Sequence, residues 1–183
     1  MTSEELTFNN IRNRSPVSEC KSCKDNSVSI VLNDMNEKIV FRPEDLDNNK
    51  RSDCAIFFNP SNNTSGRGIS LSLDGNSKKR PEYISIVELK STLNDFEDIK
   101  DQIRGGIKFV VDILLEFESP PWNLEWYCLV PHESANIGGY NRRKKKTINV
   151  HVGGKKLTFF VITVNNNKSL CDIIDRDINS SCI

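Results

Sequence analysis

Phe96, Ile99, Ile103, Ile107, Val110, Leu114 and Phe117 recur every three or four residues, which lines them along one side of a helix over 96–117. Asn94 or Asp95 can cap its start, and Pro120 with Pro121 ends it. A helix with a single greasy stripe must bury it against something, and the rest of the chain offers short β-type runs. These cover 28–32, 38–41, 54–58, 69–73, 83–89, 124–130, 147–152 and 157–164, set off by Asn, Asp, Gly or Pro. The first three read as an antiparallel meander. Asp74-Gly75-Asn76 joins 69–73 to 83–89 as a hairpin, Gly153-Gly154 joins 147–152 to 157–164, and 170–174 closes as a short helix. The expected class is α/β, a mixed central sheet flanked by helices.

Such a sheet needs one core, and 183 residues at 37% hydrophobic and 27% charged can supply one. Residues 28–183 read as a single domain and 1–27 as a poorly patterned N-terminal segment. The greasiest span, 107–117, carries Lys108, Asp112 and Glu116 and falls short of the roughly 20 apolar residues that cross a bilayer. The first five residues lack the apolar stretch of a secretory signal, so a soluble, cytoplasmic chain with no membrane partner is expected. In a reducing compartment the six cysteines read as free thiols or metal ligands before disulfides. Cys54 and Cys128 lie in apolar strands and read as small core residues. Cys20-x-x-Cys23 is half a zinc site whose other half would have to come from Cys171 and Cys182, so a structural zinc is not favoured.

Chemistry concentrates in Ile84-Ser85-Ile86-Val87-Glu88-Leu89-Lys90. Side chains alternate along a strand, so Glu88 and Lys90 leave on the same side. Ionisable groups closing an apolar strand must be solvated, paired or bound to a metal. Asp53 opens the run 54–58 as Glu88 closes its own, and two carboxylates converging at neighbouring strand ends suit magnesium or manganese better than zinc. Lys90 beside them can hold or deprotonate a water while the metal polarises a phosphoryl oxygen. That combination fits phosphodiester hydrolysis.

Asp53, then Glu88-Leu89-Lys90, then an amphipathic helix carrying Gln102 resembles the PD-(D/E)xK nuclease superfamily, which includes restriction endonucleases, Holliday junction resolvases and RecB-type nucleases. The resemblance covers about 52–164 and implies a restriction endonuclease-like fold. It implies Asp53 and Glu88 as ligands of Mg2+ or Mn2+, Lys90 as the catalytic lysine and Gln102 as a catalytic residue that orients the site. It also implies a nucleic-acid substrate, DNA favoured over RNA, in repair, restriction or phage defence. Ser52 stands where the motif has proline, and Gly105 and Gly106 stand where exonuclease-like members carry a tyrosine.

Each of those glycines costs about 1 kcal/mol against alanine inside a helix, and close packing of helix on sheet is the favoured compensation, ahead of approach by a phosphate backbone. Twenty-five Lys and Arg balance twenty-five Asp and Glu, so a nucleic-acid surface must be local. Arg142, Arg143, Lys144, Lys145 and Lys146 form the densest basic run, with Tyr140 placed to stack on a base. His132 reads as an exposed loop histidine after Pro131, and His151 as weaker still. Glu37, Glu44 and Asp45 are equal candidates for an additional upstream acid. The alternative function is a non-catalytic nucleic-acid-binding or assembly module of the same fold; oligomeric state stays open, a homodimer included.

Overall fold

The computed structural model of the chain describes residues 5–33, 35–46, 51–60, 80–93, 96–117, 124–135, 146–152 and 154–174. In chain order they form α1 (Phe8–Arg14), β1 (Glu19–Cys20), β2 (Cys23–Asp25), β3 (Val28–Ile30), β4 (Met35–Phe41) and a 3-10 turn (Pro43–Asp45). Then follow β5 (Cys54–Pro60), β6 (Tyr83–Val87), β7 (Lys90–Leu93), α2 (Phe96–Leu115), β8 (Glu125–Ala135), β9 (Lys146–Val152) and β10 (Lys155–Asn165). Residues 170–174 are helical.

Among the described residues an eight-stranded mixed sheet runs β1-β4-β5-β6-β8-β10-β9, with β7 alongside β8. β4, β5 and β6 are antiparallel neighbours, whereas β6 and β8 are parallel. A parallel step needs a crossover, and α2 supplies it. The chain is therefore α/β, with helices laid against a large mixed sheet.

Strand parity sorts the core into two faces. Ile39, Phe41, Ala55, Phe57, Ile84, Ile86, Cys128 and Val130 point toward the helices and pack with Ile99, Ile103, Ile107, Val110 and Leu114 of α2. Leu6, Phe8 and Ile11 join the same cluster, so the apolar-poor N-terminal stretch is anchored by a few large side chains. Val40, Cys54, Ile56, Phe58, Val87, Leu89 and Leu129 face the other way, onto Cys23, Val28 and Ile30 of the β2–β3 hairpin and Leu170 and Ile173.

The helix stripe holds as expected, since its periodicity is local, and the turn tightens where Phe117 N–H reaches Leu114 O. The β9–β10 hairpin also forms, with Gly154 in the left-handed region at φ 77°. The meander begins at β4 instead of 28–32, because Val28–Ile30 pairs with Cys23–Asp25 in a separate two-stranded sheet. The expected strand 69–73, the capping positions Asn94 and Asp95, and Pro120 with Pro121 lie outside the described residues.

Two further expectations are corrected. β8 does not stop at residue 130 but continues through Pro131 to Ala135. The register is constant from Val87↔Leu129 to Lys90↔His132, which sets Pro131 opposite Leu89, in the gap between β6 and β7. Its missing N–H therefore falls where the ladder is already broken. The cysteines are not all thiols either: Cys23 and Cys54 form a disulfide with Cα atoms 5.9 Å apart. That bond removes Cys23 from any zinc pair with Cys20 and makes Cys54 a cross-link instead of a small core residue. Cys128 is a buried thiol, its pKa pushed up to about 12 by desolvation.

Candidate functional site

The site begins where β6 parts from β5. Cys54 pairs with Val87, and one step further along the same antiparallel register Asp53 stands opposite Glu88. Glu88 N–H still bonds Leu129 O on the β8 side at 3.0 Å, but the next amide, that of Leu89, donates to Asp53 Oδ2 at 2.6 Å. The Asp53 side chain thus takes the place of the β5 backbone at the fork. β7 then continues along β8 without pairing β5, and the sheet opens between the two carboxylates.

Glu88 has the parity of Ile84 and Ile86 and so lies on the helix face of the sheet, fully buried. Its Oε1 and Oε2 accept no hydrogen bond of ordinary geometry among the described residues. The Lys90 ammonium stands 2.6 Å from Oε1, on the side alternation requires, with 28% of its side chain exposed. Burying a carboxylate with so little compensation costs several kcal/mol, and the group answers by holding its proton. Desolvation, reinforced by the Asp53 charge and opposed by Lys90, pushes the Glu88 pKa up to about 8. Asp53 is raised to about 6, chiefly by burial, with the Leu89 N–H and Lys90 working against the rise and Glu44 and Asp25 adding to it.

α2 is seated directly over this fork. A Cβ on Gly106 would stand 2.0 Å from Ser52 Oγ and 2.8 Å from Ile86 Cγ2, so the helix touches the residue before Asp53 and the strand before Glu88. Close packing is therefore the role of this glycine. Gln102 is half-buried, on the same stripe one turn nearer β7, about 6 Å along the axis. Glu88 lies about 7 Å beyond Ile86 in the same direction, which brings Gln102 to the level of the carboxylates.

No protein-family model, curated protein or solved structure matches this chain. Geometry and chemistry alone describe the site. Among the described residues no three His, Cys, Asp or Glu side chains converge to hold a metal ion, so the protein's contribution at the fork is the Asp53–Glu88 pair. One or two carboxylates, with waters and substrate oxygens filling the rest, is the ordinary set for magnesium. Two buried oxygens lacking donors, beside a second raised carboxylate, fit a hard cation.

Of the upstream acids, Glu44 acts on Asp53 electrostatically, though Arg42 Nη2 holds it at 2.5 Å. Glu37 pairs across from Asn59, at the far end of β5 from Asp53. His132 is not a loop residue: it sits half-buried inside β8, paired with Lys90, and side chains of paired residues in parallel strands share a face. His151 is exposed on β9. Sequence reading missed both His132 and Asp25; the one available signal for His132 was its even parity with Cys128 and Val130 across Pro131. Within the basic run, Lys146 opens β9 with its ammonium 4.1 Å from the centre of the Phe96 ring, a cation–π contact at the start of α2. Tyr140, Arg142, Arg143, Lys144 and Lys145 lie outside the described residues. No helix among the described residues is long and apolar enough to cross a membrane.

Proposed function

We propose that the chain is a metal-dependent nuclease of the PD-(D/E)xK, restriction endonuclease-like kind, hydrolysing phosphodiester bonds, with DNA as the favoured substrate. The observation that carries this reading is Glu88: a fully buried carboxylate whose two oxygens lack hydrogen-bond donors, opposite Asp53 and 2.6 Å from Lys90. The order of elements agrees with it: α1, three antiparallel strands β4, β5 and β6, the crossover helix α2, and the parallel strand β8.

In this reading Asp53 and Glu88 hold Mg2+ or Mn2+. A bound divalent ion would polarise a phosphoryl oxygen and make a water more acidic. Everything else is done by the chain. Glu88 gives up its proton when the cation arrives, and the positive charge then replaces the missing donors. Lys90 is the exposed end of the set, so its ammonium can donate to an attacking water or to a non-bridging phosphate oxygen. Gln102, at the same level on α2, orients water or strand by hydrogen bonding. The Leu89 N–H fixes one oxygen of Asp53 and leaves Oδ1 for the ion.

Incubating supercoiled, linear and single-stranded DNA, and RNA, with the protein in magnesium or manganese tests the reading. Cleavage by wild type and at least a 100-fold loss in Lys90→Ala are expected. Equal binding of nucleic acid by both proteins, with no cleavage by either, would instead favour a non-catalytic binding module.

A further inference from the structure

On the other flank of Lys90 lies a cavity of about 220 Å³ lined by Asp25, Asn26, Val28, Leu89, Lys90 and Ser91. One wall is the backbone of the fork; the other is the tip of the β2–β3 hairpin. Strands of three residues would be marginal alone, yet this hairpin is fastened along its whole length. The Cys23–Cys54 disulfide ties it to the residue after Asp53. Ser29 N–H donates to Asn166 Oδ1 at 2.9 Å, and Asn166 Nδ2 donates to Ser27 O at 2.7 Å. The Ser29 hydroxyl donates to Asn167 Oδ1 at 2.7 Å, and Val31 N–H to Lys168 O at 3.0 Å. Asn26 takes the left-handed conformation, φ 46°, that a two-residue turn between Asp25 and Val28 demands. The tip is a preorganised wall.

Its chemistry is one-sided. Asn26 Nδ2 donates to Asp25 Oδ2 at 3.2 Å, which directs Asp25 Oδ1 and Asn26 Oδ1 toward a guest as acceptors. A carboxylate repels phosphate, so the cavity suits a group that presents N–H donors. Its volume equals about seven waters at ~30 Å³ each, room for one planar ring but not for a helix or a strand. Buried Val28 and Leu89 give it an apolar floor.

We propose that this cavity is a base-reading subsite: it takes one unstacked nucleobase next to the phosphate at the fork, and Asp25 with Asn26 selects bases bearing an amino group. Cytosine and adenine offer that donor, whereas thymine and uracil flank their single N–H with carbonyls that Asp25 repels. The proposal rests on the nuclease reading of Asp53, Glu88 and Lys90, and it makes an unpaired strand the substrate class.

Fluorescent pentamers of deoxycytidine, deoxyadenosine and thymidine, titrated with the full chain in calcium and checked afterwards for intact length, test it. Wild type should bind the first two about 10-fold more tightly than thymidine. In Asp25→Asn the amide can also donate, so the gap should close or reverse; Asn26→Ala should narrow it. Thermal midpoints of both variants establish that they fold, and wild-type discrimination is read without any variant. Equal affinity of wild type for all three pentamers overturns the proposal. So does Asp25→Asn tightening all three alike, which is simple loss of repulsion, or weakening manganese binding without DNA, which makes Asp25 a cation ligand. Base discrimination without cleavage of any substrate would sink the nuclease reading alone; Lys90-dependent cleavage with equal pentamer affinities would sink the subsite alone.

Discussion

Glu88 and Asp53 carry protons in the folded chain at pH values where the unfolded chain has lost them, because burial raises their pKa values to about 8 and about 6. The sign follows from linkage. The folded state binds more protons, so the stabilisation is complete below the ordinary carboxylate range and is lost as pH rises through 6 and then 8. Metal-free wild type should therefore melt at a lower temperature at pH 8.5 than at pH 5.5. Glu88→Gln, which keeps a neutral group in place, should flatten much of that slope and be the more stable protein at the higher pH. Thermal scans in chelator at both values decide it, and parallel slopes for the two proteins would contradict the assignment of Glu88 as a buried, uncompensated acid.

Elements add two predictions. Gly106→Ala sets helix propensity against packing: propensity alone promises about 1 kcal/mol of gain. The added Cβ, however, would fall 2.0 Å from Ser52 Oγ and 2.8 Å from Ser52 Cβ, so α2 must lift from the sheet. Overpacking of this kind costs about 1–3 kcal/mol, and urea titration should show a net loss, with activity falling as Asp53 shifts. The second concerns the cross-link. A loop of 31 residues closed by Cys23–Cys54 constrains the unfolded chain by about 3–4 kcal/mol in the chain-entropy account. Cys23→Ala with Cys54→Ala should lower unfolding stability by about that much, and reduced wild type should unfold at the same urea concentration as the double variant. What could be read ahead divides along the same line. The α2 stripe, the Gly153-Gly154 turn and the common side of Glu88 and Lys90 are local and periodic, so the letters display them. The β2–β3 hairpin is placed by Cys54 and Asn166, far away in the chain, and nothing within 23–30 announces it. His132 was hidden because Pro131 ordinarily ends a strand, and only the gap between β6 and β7 lets β8 pass.

At the scale of the whole molecule, the fork at Asp53 and Glu88 exists because an antiparallel set and a parallel set share strand β6. β5 ends its pairing there while β8 carries on, and α2 covers the opening from one face as the hairpin walls it from the other. The topology was legible as a class, since one long amphipathic helix among short strands leaves few ways to bury its stripe. The place where the sheet divides was not, because it depends on which strand each amide chooses. The central claim is that the fork binds one hard cation. Titration of the metal-free chain with manganese at pH 7.5, followed by calorimetry in two buffers of different ionisation enthalpy, tests it most directly. The account predicts one site, release of a proton on binding, and at least a 10-fold weaker site in both Asp53→Asn and Glu88→Gln. Binding of equal strength in wild type and Glu88→Gln, or none in wild type, would contradict it.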